Sequence, residues 1–338
     1  MNDYLVETRD LTLHYPVRGG LFRRTGGLVK AVDGVNLGVR EGETLGLVGE
    51  SGCGKSTLAR LLLRLATPTS GEVRFAGEDI FARHGAELAR LRRDIQMIFQ
   101  NPSSSVNPRL SVGEIIAEPL RIHRRPDVRR RVLELMEMVG LHPDHYDRYP
   151  HEFSGGQRQR MGIARAIALR PRVVVCDEPV SALDVSIQAQ ILKLLKELQR
   201  ELGLTYVFIT HDLSVVKHLC DRVAVMYLGK VVEVADRAEF YASAAHPYTA
   251  SLLSAIPLPD PDAEARRQRV VLAGDVPSAL NPPTGCAFHP RCPRAQARCA
   301  REAPALIADE SGRRTVSCFF PVRPGEELQR PAEDGANA

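Results

Sequence analysis

The run Gly49-Glu50-Ser51-Gly52-Cys53-Gly54-Lys55-Ser56-Thr57 carries the pattern G-x-x-x-x-G-K-[S/T]. Glycines in such a loop let the backbone wrap around phosphates, with its N–H groups and a helix N-terminus turned toward the negative charge. Lys55 brings a cation to the β- and γ-phosphates, and the Ser56 hydroxyl is placed to ligate Mg²⁺. Asp177-Glu178 supplies the acidic half of the chemistry: Asp177 for the Mg²⁺ shell, Glu178 to orient or deprotonate an attacking water. A positioned base of that kind is worth roughly 10²–10⁴-fold in rate. Ser154-Gly155-Gly156-Gln157 is a second phosphate-binding device, a serine and two glycines opening a helix. One nucleotide does not need two such devices from one chain. The pattern therefore implies that each copy offers Lys55 to its own nucleotide and Ser154 to a partner's.

The elements that must hold these residues are legible around them. Thr44–Val48 reads as a buried strand entering the glycine loop, and Leu58–Leu65 as a helix leaving it. Leu5–Tyr15 and Leu28–Val39 alternate apolar and polar residues as half-buried antiparallel strands do, flanking a Gly/Arg-rich loop from Arg18 to Gly27. Gly71-Glu72-Val73 marks a hairpin edge, and Asp94–Phe99 a short strand stopped by Pro102. From about Ser111 to Leu169 the chain reads as helical, opening on a capping box of Ser111 and Glu114, with breaks at Gly140 and before Ser154. Val173–Cys176 is a continuous apolar strand of the kind buried on both faces of a parallel sheet, delivering Asp177-Glu178 at its end. Ile187, Ile191, Leu194, Leu195, Leu198 and Leu202 form one helical stripe closed by Gly203, and strands follow at Tyr206–Thr210 and Arg222–Tyr227.

Composition is that of an ordinary globular chain: 338 residues, 44% hydrophobic, 25% charged, 5% aromatic without tryptophan. The net charge of +4 is too small to imply nucleic acid, and the arginines at 121, 124, 125 and 129–131 read as a solvated helix face. No run approaches the ~18 apolar residues that span a bilayer, and Met1-Asn2-Asp3-Tyr4 lacks the build of a signal peptide. The expectation is a chain that stays in the cytoplasm and meets any membrane through a partner. After about Ser254 prolines break every long element, which suggests a loop-rich appendage over 257–322 and a disordered tail over 323–338.

At this point the chain resembles the ATP-binding subunits of ABC transporters. Phe153-Ser154-Gly155-Gly156-Gln157 is similar to that family's signature, with Phe153 where leucine is usual. The resemblance covers residues 4 to about 255. It implies an α/β fold: a P-loop ABC ATPase domain with a mixed sheet core, an antiparallel β subdomain and an inserted helical subdomain over about 101–170, the whole spanning 1–256. It further implies ATP and Mg²⁺ as ligands, Gln100 as the Q-loop contact to Mg²⁺ and water, and Ser181–Asp184 as the loop crossing a dimer interface. His211 corresponds to the histidine that contacts the γ-phosphate, and Tyr15 to the aromatic stacked on adenine. Such stacking is worth roughly 1–3 kcal/mol and accepts any base.

The C-terminal third narrows the resemblance. His246-Pro247-Tyr248-Thr249, Leu252–Pro257 and Asn281–Pro293 look like the tail of dipeptide and oligopeptide importer ATPases, and Glu50–Cys53 with Val180–Ser186 like the second of their two ATPase subunits. This implies a peripheral protein on the cytoplasmic face of the membrane, with a sister ATPase as heterodimer partner and two membrane-spanning permeases. An extracytoplasmic peptide-binding protein would be an indirect partner. Relatives carrying nickel, glutathione or murein peptides share most of these features. A chromosome-maintenance ATPase would need a long coiled coil between Gln100 and Ser154, a span too short here, and ribosome-acting types fuse two ATPase units. Four of the seven cysteines, Cys286, Cys292, Cys299 and Cys318, gather in the appendage. A segment too small for its own core needs a staple, and a disulfide is a poor one in a reducing compartment. Four thiolates suit structural Zn²⁺ or a [4Fe–4S] cluster, and the spacing C-x₅-C-x₆-C favours the larger group.

Overall fold

The computed structural model describes residues 4–17, 27–101, 106–257, 274–310 and 312–326, with positions 262, 270, 272 and 328. Most of the Gly/Arg-rich loop, Pro102 and most of the expected disordered tail lie outside the described residues.

Two sheets organise the chain. The first is antiparallel, in the order β2-β1-β4-β5, where β1 is Val6–Pro16, β2 Leu28–Val39, β4 Ser70–Phe75 and β5 Glu78–Asp79. Its alternating pattern buries Val6, Leu11, Val32, Val35 and Val73 on one face. The turn of the β4–β5 hairpin is Ala76-Gly77, both with positive φ, and Gly71-Glu72-Val73 lies in its first strand.

The second sheet has eight strands. Five are parallel neighbours: β9 (Arg222–Tyr227), β3 (Thr44–Val48), β8 (Thr205–Ile209), β7 (Val173–Asp177) and β6 (Ile95–Ile98). β3 and β8 are buried at every position and β7 over Val173–Cys176, as strands covered on both faces must be. Thr44–Val48 therefore ends inside the molecule and releases the glycine loop at the sheet's C-terminal edge, where Asp177 and Ile209 also end. Helix α1 (Lys55–Leu62) follows directly, starting three residues before the expected Leu58. An unforeseen helix, α2 (Gly85–Asp94), leads into β6; it buries only Leu91, so its apolar periodicity was too thin to read.

The helical region contains α3 (Val112–Ile122) and α4 (Val128–Met138), then α5 (Gly155–Ile167). Ser111 Oγ accepts from Glu114 N–H while the Glu114 carboxylate accepts from Ser111 N–H, the reciprocal cap its spacing promised. Of the arginine cluster, five are exposed and Arg131 is partly covered, pairing with Glu134. The long helix α6 (Val185–Leu202) buries Ile191, Leu194, Leu195 and Leu198 and ends at Gly203 with φ 66°, as the stripe implied.

Beyond β9 the sheet continues. β10 (Lys230–Asp236), not foreseen, pairs antiparallel with β9, and a strand from the far C-terminal segment (Arg314–Val316) pairs with β10. The segment expected to stand apart thus adds an edge to the central sheet, and its Phe288 is buried in the same core as Tyr227 and Tyr248.

Candidate functional site: a nucleotide cavity and a four-cysteine cavity

The glycine loop lines a cavity of about 570 Å³ whose walls include Gly52, Gly54, Lys55, Ser56 and Thr57. Gln100, Glu178 and His211 close the same cavity from the opposite strands, and Val29 and Ala31 from β2. Gly54 has φ 109°, and a Cβ there would lie 2.1 Å from the Ala31 carbonyl oxygen. Only glycine lets the loop pass that close. Lys55 is buried and donates to the carbonyls of Gly49 at 2.7 Å and Glu50 at 3.0 Å, so its ammonium is held inside the loop.

The acidic residues converge as their spacing implied. Ser56 Oγ donates to Asp177 Oδ1 at 3.2 Å. That is the donor pair that would hold Mg²⁺, an oxygen set of the hard kind this ion takes. Burial pushes the Asp177 carboxyl above its ordinary value, against the hydrogen bond from Ser56. Glu178 Oε2 accepts from Gln100 Nε2 at 2.8 Å, and Oε1 lies 3.0 Å from His211 Nδ1. Glu178 has φ 46°, the left-handed region that a side-chain-bearing residue adopts at a cost. Its N–H is tied to Ile209 O at 3.0 Å, so the strand end fixes this turn.

Ser154, Gly155, Gly156 and Gln157 lie elsewhere. Ser154 is exposed and caps α5, with Ser154 Oγ accepting from Gln157 N–H at 3.3 Å and Gln157 Oε1 accepting from Ser154 N–H at 3.0 Å. None of the four lines the nucleotide cavity. Asp184, also exposed, sits at the N-cap of α6. Tyr15 is 39% exposed and pairs directly across from Val29, which places both on one sheet face beside the cavity wall. Ser51 lines the cavity, whereas Gly49 and Cys53 back the loop: a Cβ on Gly49 would meet the Met226 carbonyl oxygen and the Cys53 sulfur.

Sequence reasoning missed three participants. Ala279 lines the nucleotide cavity, and its carbonyl accepts from Lys30 N–H at 3.0 Å. Arg291 grips the Glu50 carboxylate, and Tyr248 Oη accepts from Glu50 N–H at 2.9 Å. Positions separated by about 200 residues leave no periodicity or spacing that pairs them.

Cys286, Cys292, Cys299 and Cys318 all face one small apolar cavity. Cys286 N–H donates to Cys299 O at 2.8 Å, an approach open because Gly285 has φ 67° and no Cβ to strike that carbonyl. Burial pushes the Cys292 thiol up to about 12 and Cys318 to about 11, and the neighbouring cysteines push the same way. Among the described residues, no three His, Cys, Asp or Glu gather as a group that could hold a metal ion. The expected metal centre is thus not borne out as a formed site; what stands is four thiols around one cavity.

A glycine loop, an acidic strand end, a glutamine and a histidine meet at one cavity, the arrangement of an ATP-binding cassette. The ABC transporter family matches residues 32–181, and the oligopeptide/dipeptide transporter C-terminal region matches residues 232–299. The chain is 53% identical to the oligopeptide transport ATP-binding protein OppF of Salmonella typhimurium, over 93% of this chain and 96% of that protein. It is 51% identical to the dipeptide transport ATP-binding protein DppF of Escherichia coli, over 93% and 94%. Among solved structures, it resembles the post-hydrolysis dimer of the cassette MJ0796 bound to ADP and Pi, with TM-score 0.61, 33% identity and 69% and 98% coverage. The structure of cbiO1 from Clostridium perfringens, part of the ABC transporter complex cbiONQ, gives TM-score 0.63, 30% identity and 71% and 92% coverage. The chain belongs to the ATP-binding proteins of the oligopeptide and dipeptide ABC transporter family. No helix among the described residues is long and apolar enough to cross a membrane.

Proposed function

We propose that this chain is the ATP-hydrolysing subunit that powers uptake of di- or oligopeptides through an ABC importer, a translocase acting at the cytoplasmic face of the membrane. The observation that carries the reading is the cavity where Lys55, Ser56, Gln100, Glu178 and His211 meet, while Ser154–Gln157 are turned elsewhere. Lys55 and the loop N–H groups hold the triphosphate, and Ser56, Asp177 and Gln100 hold Mg²⁺. Glu178 takes the proton of the attacking water, and His211 contacts the γ-phosphate. Tyr15 stacks on the base. Ser154–Gln157 and Asp184 serve the nucleotide of a second ATPase, and the second-subunit resemblance supports a different chain in that place. ATP closes the pair and hydrolysis reopens it.

The peptide reading rests on the match of residues 232–299 and on the relatives' names. The chain divides as an ATPase domain over 1–256, with helical residues at about 101–170, and an extension over 257–322. Two membrane-spanning permeases would dock on a groove beside β6, where Leu65 and Phe99 expose apolar surface just before Gln100. A peptide-binding protein acts only through those permeases. Co-expression with candidate permeases and a candidate sister ATPase, followed by ATP-dependent uptake of labelled peptides into vesicles, tests this. Uptake of nickel or glutathione instead would replace the cargo, and failure to associate with any permease would remove the importer role.

The four thiols carry a finer reading. A single Zn²⁺ needs sulfurs each about 2.3 Å away, hence a tight donor group. Four thiols around one cavity are donors of the type a [4Fe–4S] cluster takes, and the wide C-x₅-C-x₆-C spacing favours that larger group. Such a group would staple the extension. Metal analysis of anaerobically purified chain should give about four irons; stoichiometric zinc would replace the cluster, and neither metal would remove the site.

A further inference from the structure

Glu50 stands inside the phosphate-binding loop, yet its carboxylate does not line the nucleotide cavity. It turns to the far side and meets Arg291, whose two terminal nitrogens donate to its two oxygens at 2.9 and 3.2 Å. The pair is largely covered, with Arg291 9% and Glu50 28% exposed. All three polar groups of Glu50 are engaged: carboxylate to Arg291, N–H to the buried Tyr248 hydroxyl, and carbonyl to the Lys55 ammonium. Together with the Gly49 carbonyl, the position of Glu50 therefore sets where Lys55 sits.

Arg291 comes from the four-cysteine segment, one residue before Cys292. Its N–H donates to Phe288 O at 3.0 Å, and the Phe288 ring packs on Tyr227 and Tyr248 at 5.2 and 5.4 Å. The guanidinium is thus fixed by a rigid base rather than by a mobile surface loop. A carboxylate in a loop that must accept a triphosphate is an electrostatic liability. Unpaired, it repels the phosphates and competes with them for Lys55; paired bidentately with Arg291, it is neutralised and aimed away.

We propose that Arg291 is a positioning residue for ATP binding, holding the phosphate-binding loop and Lys55 in their receiving arrangement through Glu50. Ala279, whose carbonyl accepts from Lys30 N–H, tethers the same C-terminal region to the cavity wall independently. The C-terminal region is then a working part of the nucleotide site. This inference rests on the reading of the loop as the ATP site.

The test measures equilibrium ATP binding by the full-length chain, and ATP KM and kcat of the assembled complex. The variants are Arg291→Ala, Arg291→Lys, Glu50→Gln and the double Glu50→Gln/Arg291→Ala. Arg291→Ala should weaken ATP binding and raise KM about tenfold, the scale of a lost charge-assisted bond, with kcat at saturating ATP nearly unchanged. Arg291→Lys should recover part of the loss, because it keeps the charge and one of two bonds. The double variant should bind ATP better than Arg291→Ala, since it removes the uncompensated carboxylate. A merely structural contact would instead make the double variant worse. Unchanged affinity in Arg291→Ala, or further loss in the double variant, overturns the proposal. If Arg291→Ala does not fold, unchanged affinity in Arg291→Lys overturns it alone. Wild-type chain that fails to bind ATP overturns both this and the reading beneath it, whereas wild-type binding with insensitive variants overturns only this one.

Discussion

Glu178→Gln exchanges one carboxylate oxygen for an amide nitrogen and alters little else. In the native site Oε2 accepts from Gln100 Nε2 at 2.8 Å and Oε1 faces His211 Nδ1 at 3.0 Å. A glutamine satisfies both neighbours in one orientation only: its carbonyl toward Gln100, its NH₂ toward an unprotonated His211 Nδ1. The left-handed backbone at φ 46° costs both residues alike, about 1–3 kcal/mol. The N–H bond to Ile209 O is kept. Folding and ATP affinity should therefore survive, and what is lost is the proton acceptor. That loss is worth roughly 10²–10⁴-fold in rate, or about 3–5 kcal/mol of barrier. Turnover of the assembled complex, ATP binding and the unfolding temperature should be measured together. The expected result is ATP binding near wild type with turnover at or below about 1%. Normal binding with turnover close to wild type would remove Glu178 from the role of base. Lost binding at an unchanged unfolding temperature would show instead that the carboxylate's task is to hold the nucleotide or its ion.

Three further outcomes are expected. The purified chain alone should hydrolyse ATP slowly, with activity per molecule rising with concentration or on addition of the sister ATPase, because Ser154–Gln157 do not reach the chain's own cavity; fast, concentration-independent turnover contradicts the shared site. Gly54→Ala should abolish ATP binding, since its Cβ would lie 2.1 Å from Ala31 O at φ 109°, and wild-type affinity in a binding titration would show that the loop yields more easily than this geometry allows. For Asp33, burial opposes ionisation, but Lys230 at 2.9 Å and His14 at 3.0 Å outweigh it and hold the carboxyl below its ordinary value. A depressed carboxyl stabilises above its unfolded pKa of about 4 and loses that contribution as pH falls, so Asp33→Asn should cost about 1 kcal/mol in urea unfolding at pH 7 and progressively less as pH falls below about 4; a cost that does not fall with pH refutes the pairing.

Those residues whose chemistry is written in adjacent positions were legible in the sequence. The glycine loop, Asp177-Glu178, the Ser111 capping box and the helix start at Ser154 each combine a local conformation with a local task, so a short window contains both. Strands buried on two faces were legible for the same reason, as unbroken apolar runs such as Val173–Cys176. What escaped was set by contacts between distant parts. β10 was hidden because a strand of mixed pattern after Gly229 gains its meaning only from pairing with β9. The prolines of the extension suggested a detached unit, but Arg314–Val316 finds its partner in β10, and its register could not be read without that partner. The cysteines announced that they gather, through spacing, and their convergence on one cavity needed the fold.

The Ser154 box bears on the proposed sharing of a site between chains. Ser154 Oγ accepts from Gln157 N–H, and Gln157 Oε1 accepts from Ser154 N–H, so both capping groups are used within the chain. A hydroxyl that accepts in this way still has its own proton to donate. The remaining N–H groups of the first helical turn lack acceptors within the helix, with the positive end of the helix behind them. The box therefore does more than start α5: it fixes the serine rotamer at an exposed helix N-terminus that lines no part of this chain's own cavity. This geometry supports the proposed shared site, in which a second ATPase subunit would bring a triphosphate held by its own glycine loop.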